Sequence, residues 1–168
     1  MTIPHELPTT HPYRPAEWER EIYPMPAFPM VMATDVATSS QWYQTALGFA
    51  DVFTMDGPDG RPLLAHLRWC KWGDVLIVRA RAPIDGPPGR GITLNFMTLD
   101  ADEVAERARA AGAHIIQGPT DQPWNARDVT IADPDGYRLN FTAPGKHRVS
   151  MDEIVKRALG SAKPAEWR

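Results

Sequence analysis

The sequence predicts an α+β fold of two βαβββ modules that form a curved mixed sheet with a cleft, plus an N-terminal arm and a C-terminal helix. Residues typical of helix ends and turns recur in pairs at a nearly constant spacing, and strand and helix patterns follow in the same order in both halves. The recurring pairs are Asp35 with Asp100, Gly48 with Gly112, and Gly73 with Gly136. The 168 residues, 43% of them hydrophobic, suit one globular domain with its own core.

The first module is predicted from short apolar runs separated by turn residues. Ser39 or Thr38 is expected to cap a helix over 41–47 that ends at Gly48. Lys71-Trp72-Gly73 separates the last two runs and indicates a hairpin. The predicted strands are 28–34, 49–54, 63–70 and 74–80.

The second module repeats this order. Asp100 and Glu103 form a capping pair before a helix over 104–111 that ends at Gly112. The sequence 133–136, Asp-Pro-Asp-Gly, is typical of a turn and predicts a second hairpin. The predicted strands are 91–98, 114–117, 127–132 and 137–142.

Clustered prolines mark the segments that flank these modules. We interpret 1–26 as an arm that wraps onto the domain or a partner through Trp18 and Tyr23, or else as a plain tail. The central domain spans 27–143, with modules at 27–82 and 90–143. The remainder, 144–168, contains a predicted helix over 151–159, with Ser150 and Glu153 as its capping pair.

The overall charge and the cysteine content exclude several classes of partner. A net charge of −3 gives no field that would gather nucleic acid or an anionic membrane surface. No apolar run reaches the ~20 residues of a membrane span, and no signal peptide is visible. The single cysteine, Cys70, excludes an internal disulfide, so we expect a cytoplasmic protein.

The segment 124–141, Trp-Asn-Ala-Arg-Asp-Val-Thr-Ile-Ala-Asp-Pro-Asp-Gly-Tyr-Arg-Leu-Asn-Phe, resembles the last hairpin of the vicinal oxygen chelate superfamily. The helical stretch from Asp35 through Trp42-Tyr43 to Leu47-Gly48-Phe49 is similar to the first helix of that superfamily. Its members include glyoxalase I, extradiol dioxygenases, fosfomycin-resistance enzymes and bleomycin-resistance proteins. The resemblance implies two βαβββ modules around a cleft, often in chains that share edges or swap modules, so a homodimer is expected.

The resemblance also locates the positions where related enzymes hold a divalent metal. These positions fall near Phe28, Ile77, Thr93 and Asn140, none of which is His, Asp or Glu. Because neutral or apolar groups cannot compensate a cation for its lost hydration, no metal site and no cofactor are expected. The resemblance is therefore to the metal-free, bleomycin-resistance-like branch.

Alternation along the strands predicts which side chains face the cleft. The side chains expected in the core are those of Leu76, Val78, Leu139 and Phe141. The residues that alternate with them along each strand are expected on the concave side of the sheet, which lines the cleft. We also expect nearby tryptophans, with His66 and Arg127, to contribute stacking area and polar groups, although aromatic and methionine side chains on a strand also suit a core or a dimer interface. The predicted ligand-binding residues are Phe28, Met30, Met32, His66, Trp69, Trp72, Ile77, Arg79, Asn95, Met97, Trp124, Arg127 and Asn140.

Two functional hypotheses follow from this lining. The first is a binding protein that sequesters an aromatic or drug-like natural product, as in antibiotic resistance, without chemistry. A neutral or planar aromatic antibiotic fits better than cationic bleomycin, because the chain is only faintly acidic. The alternative is a metal-free isomerase, cyclase or lyase of a biosynthetic pathway, with His66, Asp128, Arg127 and Arg79 as acid–base candidates; a metal-dependent glyoxalase- or dioxygenase-like enzyme ranks below both.

Overall fold

The computed structural model describes residues 25, 27–145 and 149–161, and the predicted arm with Trp18 and Tyr23 lies almost wholly outside this part. Each half contains the predicted βαβββ order. The first module comprises β1 (Met30–Ala33), α1 (Val36–Trp42) with a continuing π-helical turn (Tyr43–Leu47), β2 (Ala50–Asp56), β3 (Pro62–Cys70) and β4 (Gly73–Arg79). The second comprises β5 (Leu94–Met97), α2 (Ala101–Ala110), β6 (His114–Gln122), β7 (Ala126–Ala132) and β8 (Arg138–Pro144), followed by α3 (Met151–Ser161).

Each module forms its own four-stranded mixed sheet. The strand orders are β1-β4-β3-β2 and β5-β8-β7-β6. The first strand of each module runs parallel to the last, and the other neighbours are antiparallel. The predicted α+β fold with duplicated modules is therefore confirmed.

The two helices begin and end at equivalent residues. Asp35 accepts a hydrogen bond from the Thr38 backbone N–H (2.7 Å), and Asp100 accepts from the N–H groups of Asp102 and Glu103. The cap of α1 is thus Asp35 rather than Ser39 or Thr38, and the helix begins five residues earlier than predicted. The backbone hydrogen bond from Thr38 lowers the pKa of Asp35.

Two of the three recurring pairs are structurally equivalent. Gly48 and Gly112 both end a helix with positive φ, 88° and 72°, which favours glycine. Gly136 also has positive φ (99°) and lies in the turn before β8, whereas Gly73 is already the first residue of β4. The third pair is therefore not equivalent, and this shifts the alignment of the closing strands.

The cores of the two modules merge between the sheets. Trp69 of β3 contacts Phe141 of β8, with ring centroids 4.9 Å apart, and Phe49 contacts Phe96 at 5.4 Å. The indole N–H of Trp69 also donates to the main-chain oxygen of Met97 (2.7 Å). This aromatic cluster packs the modules together through the faces that carry the helices.

Polar contacts at the turn before β8 add a second junction between the modules. The Thr34 N–H donates to Asp135 (2.9 Å), and the Met32 N–H donates to the Tyr137 hydroxyl (3.1 Å). Asp133, buried beneath this turn, accepts from the Tyr43 hydroxyl at 3.0 Å. Beyond the second module, α3 has the predicted Ser150–Glu153 cap and exposed apolar residues. None of the helices in the described ranges is both long and apolar enough to cross a bilayer.

Candidate functional site

The face of the first sheet that points away from α1 carries exposed apolar side chains. Met30 and Met32 are 58% and 56% exposed, whereas Val31 between them is buried. In the strand register Met30 lies beside Leu76, and Met32 beside Val78. Directly opposed residues share a face, so Leu76 and Val78 belong to this surface, which we call the sheet 1 face.

The orientation predicted for β4 is therefore wrong. Ile77 lies beside Val31, is fully buried and packs in the core, as does Val75. Ile77 cannot line a cleft on the sheet 1 face, and Leu76 and Val78 take that side instead. The predicted orientation of β4 is wrong by one residue because Gly73 does not correspond to Gly136. Gly73 is the first residue of β4, whereas Gly136 precedes β8.

A cleft of about 630 Å³ opens on the sheet 1 face. The segment between the modules forms one wall, and apolar side chains of the strands form the floor. The lining residues are Met30, Met32, Met55, Leu63, Leu64, Val78, Arg79, Arg81, Ala82, Pro83, Ile84, Pro88 and Tyr137. Of these, only Met30, Met32 and Arg79 were predicted, because the others lie in the connecting segment, at strand ends or on the misoriented strand.

Arg79 closes one end of this cleft and is already engaged. Its guanidinium donates to Asp59 (2.8 Å) and to the main-chain oxygen of Pro62 (2.8 Å). These bonds fix the turn between β2 and β3, and the hydrogen bond from Arg79 lowers the pKa of Asp59. Arg79 therefore shapes the rim of the cleft rather than offering an unused cation.

His66 lies on the sheet 1 face, one residue pair farther along β3 from Leu64. It pairs with Leu76 in the register and is buried, with its Nε2 2.8 Å from the Asp74 carboxylate. Arg68 Nε donates to the same oxygen at 2.7 Å. The three side chains form a buried polar group beside an apolar cleft.

The predicted tryptophans do not line this cleft. Trp69 is 2% exposed and lies in the aromatic cluster between the modules, so it cannot contact a ligand there. Trp72 lies in the turn between β3 and β4, at the opposite end of β3 from Leu63, with the Lys71 ammonium 5.6 Å from its ring. Phe28 precedes β1 and is partly exposed, and Trp124 lies exposed in the turn between β6 and β7.

The other predicted residues lie on the second sheet. Asn95 and Met97 of β5 lie beside Asn140 and Thr142 of β8 on a surface we call the sheet 2 face. The Asn140 amide donates to Asn95 (3.1 Å) and accepts from the Thr130 hydroxyl (3.1 Å). Within the described residues, no side chain of this face contributes to the cleft on the sheet 1 face.

Arg127 lies in a second, more polar hollow of about 650 Å³ between α2, the β6–β7 hairpin and α3. Its guanidinium forms two bonds to Asp102, at 2.6 and 2.8 Å, and one to Asp121 at 2.8 Å. These hydrogen bonds raise the pKa of Arg127. Arg127 thus ties the hairpin to the start of α2 and lies apart from the apolar cleft.

The residues at the expected metal positions do not fit a divalent cation. Phe28 and Ile77 have no donor atoms in their side chains, Thr93 offers one neutral hydroxyl, and the Asn140 amide already bonds to Asn95 and Thr130. Within residues 27–145 and 149–161, no group of three or more His, Cys, Asp or Glu side chains is placed to hold a metal. These positions therefore offer no set of donors suited to a divalent cation.

Fold and site together define a protein of duplicated βαβββ modules with an apolar cleft on one sheet. Residues 27–141 match the sequence profile of the Glyoxalase/Bleomycin resistance protein/Dioxygenase superfamily, and the chain belongs to that superfamily. The expected resemblance is thereby confirmed.

Individual relatives include one antibiotic-binding protein. TioX from Micromonospora sp. ML1 is 26% identical with a TM-score of 0.59, over 70% of this chain and 96% of its own. TnmS3, an antibiotic binding protein from Streptomyces sp. CB03234, is 25% identical with a TM-score of 0.55, over 70% and 93%. The uncharacterized protein Mb0911c of Mycobacterium bovis is 28% identical over 75% of this chain and 87% of its own.

Proposed function

We propose that this protein sequesters a planar, uncharged aromatic natural product in the cleft on the sheet 1 face, without a metal and without turnover. The observation that carries the proposal is the cleft of about 630 Å³ floored by Met30, Met32, Leu64 and Val78. Methionines adapt to irregular outlines, and an apolar floor favours capture by dispersion and desolvation. The likeness to TnmS3, an antibiotic binding protein, supports an antibiotic as the ligand.

The proposal includes a homodimer in which the sheet 1 face of one copy covers the sheet 2 face of another. The sheet 1 face exposes the large apolar side chains of Met30 and Met32, and the sheet 2 face exposes Met97 at 50% among the amides and hydroxyls of Asn95, Asn140 and Thr142. An exposed apolar surface such as the sheet 1 face marks an interaction site, and a two-fold axis would use each face once per chain. Cys70 is a free thiol, which suits the cytoplasmic location that the composition predicts.

A binding experiment tests the cleft directly. Calorimetry with a panel of planar aromatic antibiotics, with bleomycin as the cationic comparison, is expected to give binding for uncharged members. Ile84→Glu places a charge in the wall of the cleft, away from the strands of the proposed dimer interface, and should weaken that binding about tenfold or more. Met151→Glu, on α3 at a 71% exposed position, is the matched control and should leave it unchanged.

The same samples separate sequestration from catalysis. A metal-free isomerase, cyclase or lyase is the second candidate, and the contact between His66 Nε2 and Asp74 favours it, because a carboxylate orients a histidine for proton transfer. Sequestration predicts that the recovered ligand has unchanged mass and unchanged retention in chromatography. A product, isomeric or not, would identify an enzyme, and equal binding by Ile84→Glu would place the ligand outside the cleft.

A further inference from the structure

The sheet 1 face carries one cluster of buried ionisable side chains beside the apolar cleft. His66, Arg68 and Asp74 are 6%, 1% and 3% exposed. Arg68 lies beside Asp74 in the register, and His66 lies one pair farther along, so all three project from one face. Their side chains meet at one atom, since Asp74 Oδ1 accepts from Arg68 Nε at 2.7 Å and lies 2.8 Å from His66 Nε2.

These contacts determine which nitrogen of His66 carries hydrogen. An ionised carboxylate only accepts hydrogen bonds, so the Nε2 that faces Asp74 is the donor. The charge of Asp74 is already balanced by Arg68, and a second cation there would be buried without a counter-ion of its own. The neutral ring with hydrogen on Nε2 leaves Nδ1 as an acceptor.

Nδ1 of His66 has no hydrogen-bond donor among the residues that the structure describes. The side chain is 7% exposed, and the Phe53 ring stands edge-on at 6.4 Å. Nδ1 retains some solvent-accessible surface, so a ligand can reach it. A ligand that supplies a donor at this place would provide the hydrogen bond that the described residues do not.

The register places His66 next to the cleft on the same face of the sheet, just outside the lining residues. Leu64, which lines the cleft, lies two residues away on the same strand and the same face. Across the sheet, Leu76 alone separates His66 from Met30, another lining residue. A flat molecule that rests on Met30 and Leu64 and extends past Leu64 along β3 would bring an edge next to the imidazole.

We propose that His66 is the polar anchor of the cleft and accepts, through Nδ1, a hydrogen bond from a phenolic or enolic hydroxyl of the ligand. This inference rests on the proposed function of the cleft and narrows its ligand to planar compounds with a weakly acidic hydroxyl. Asp74 is a positioning residue that fixes the ring, and Arg68 fixes Asp74. Since Nδ1 has no hydrogen to donate, ligands whose only polar group is a carboxylate or a methyl ether are disfavoured.

The test compares 2-naphthol with 2-methoxynaphthalene, in which a methyl group replaces the hydroxyl hydrogen. The ether moves from water into an apolar environment more readily than the naphthol does. Tighter binding of the naphthol therefore indicates a hydrogen bond from its hydroxyl group. Wild type is expected to bind 2-naphthol about tenfold more tightly, and His66→Phe should remove that preference. Met32→Leu is the control, because it changes the floor for both probes and should preserve their ratio.

The outcomes distinguish this inference from the proposed function. Equal affinity of wild type for the two probes would overturn the role of His66 while leaving capture in the cleft intact. Binding of neither probe would remove both proposals.

A second measurement uses only the wild-type protein, so it tests the role of His66 even if His66→Phe does not fold. In ¹⁵N spectra of the wild-type imidazoles, His66 should carry hydrogen on Nε2, and its Nδ1 resonance should move with 2-naphthol but not with the ether. Hydrogen on Nδ1 in the free protein, or no movement with 2-naphthol, would overturn the inference.

Discussion

Tyr43 joins the two modules through a single buried hydroxyl. It donates to Asp133 at 3.0 Å, and the same aspartate accepts from the backbone N–H groups of Asp135, Gly136 and Tyr137. Burial raises the pKa of Tyr43 well above its ordinary value of 10.0, and the negative charge of Asp133 adds to this. Burial also raises the pKa of Asp133, against the hydrogen bonds from Tyr137 and Tyr43.

Replacing Tyr43 by Phe should destabilise the protein by about 2 kcal/mol near neutral pH, because a bond to a buried carboxylate is lost. A phenol whose pKa is raised on folding stabilises the native state fully below pH 10, and this contribution is lost as pH rises toward the folded-state pKa. The difference between wild type and Tyr43→Phe should therefore shrink above pH 10. Urea unfolding of both proteins at pH 8, 10 and 11 measures it, and a constant difference would contradict the assignment.

At the scale of the element, a glycine with positive φ ends the helix of each module. Gly112 follows α2 with φ of 72°, and its N–H donates to the Arg109 carbonyl. A methyl group at Gly112 would meet nothing within 4 Å, so a substitution there acts through the backbone alone.

Gly112→Ala should therefore cost about 1 kcal/mol, the strain of a left-handed conformation for a residue with Cβ. Gly118→Ala is the matched control, since Gly118 has no positive φ and a methyl group there meets only Arg109, at 3.9 Å. Thermal or urea unfolding of the two variants compares them. Equal losses would mean that the cost arises from packing or chain entropy rather than from φ.

The strands show how far the sequence predicts orientation. In β8, polar and apolar residues alternate from Arg138 onward, and the predicted orientation of Leu139 and Phe141 toward the core is correct. In β4, residues 75–78 are all apolar, so alternation carries no information about which side faces α1. Only the pairing of Met30 with Leu76 decides it, and that pairing is a long-range contact.

At the scale of the whole molecule, a repeat predicts two modules but not which of their faces meet. The sequence predicts one cleft shared by both sheets. Within one chain the modules meet instead through Trp69, Phe96 and Phe141, and the sheet 1 and sheet 2 faces remain separate. Local patterns cannot show this, because Trp69 fits a ligand-stacking role as well as a core contact until its partners are known.

Pairing of unlike faces between two copies would reunite the predicted site, and it predicts a specific behaviour of charged variants. Wild type should have a solution mass about twice the 18.7 kDa of one chain. Met97→Glu, on the sheet 2 face, and Met32→Lys, on the sheet 1 face, should each be monomeric, because each places an unpaired charge in both copies of the interface. Light scattering after size exclusion measures the masses, with Met151→Glu as a control that stays dimeric.

Mixing the two variants gives the decisive result. If sheet 1 faces pair with sheet 2 faces, a mixed dimer has one interface in which the introduced lysine faces the introduced glutamate and one interface with no substitution, so mixing should restore dimers. If like faces paired instead, every mixed dimer would carry an unpaired charge in its interface and mixing would restore nothing. Dimers that persist in Met97→Glu alone would show that the sheet 2 face lies outside the interface.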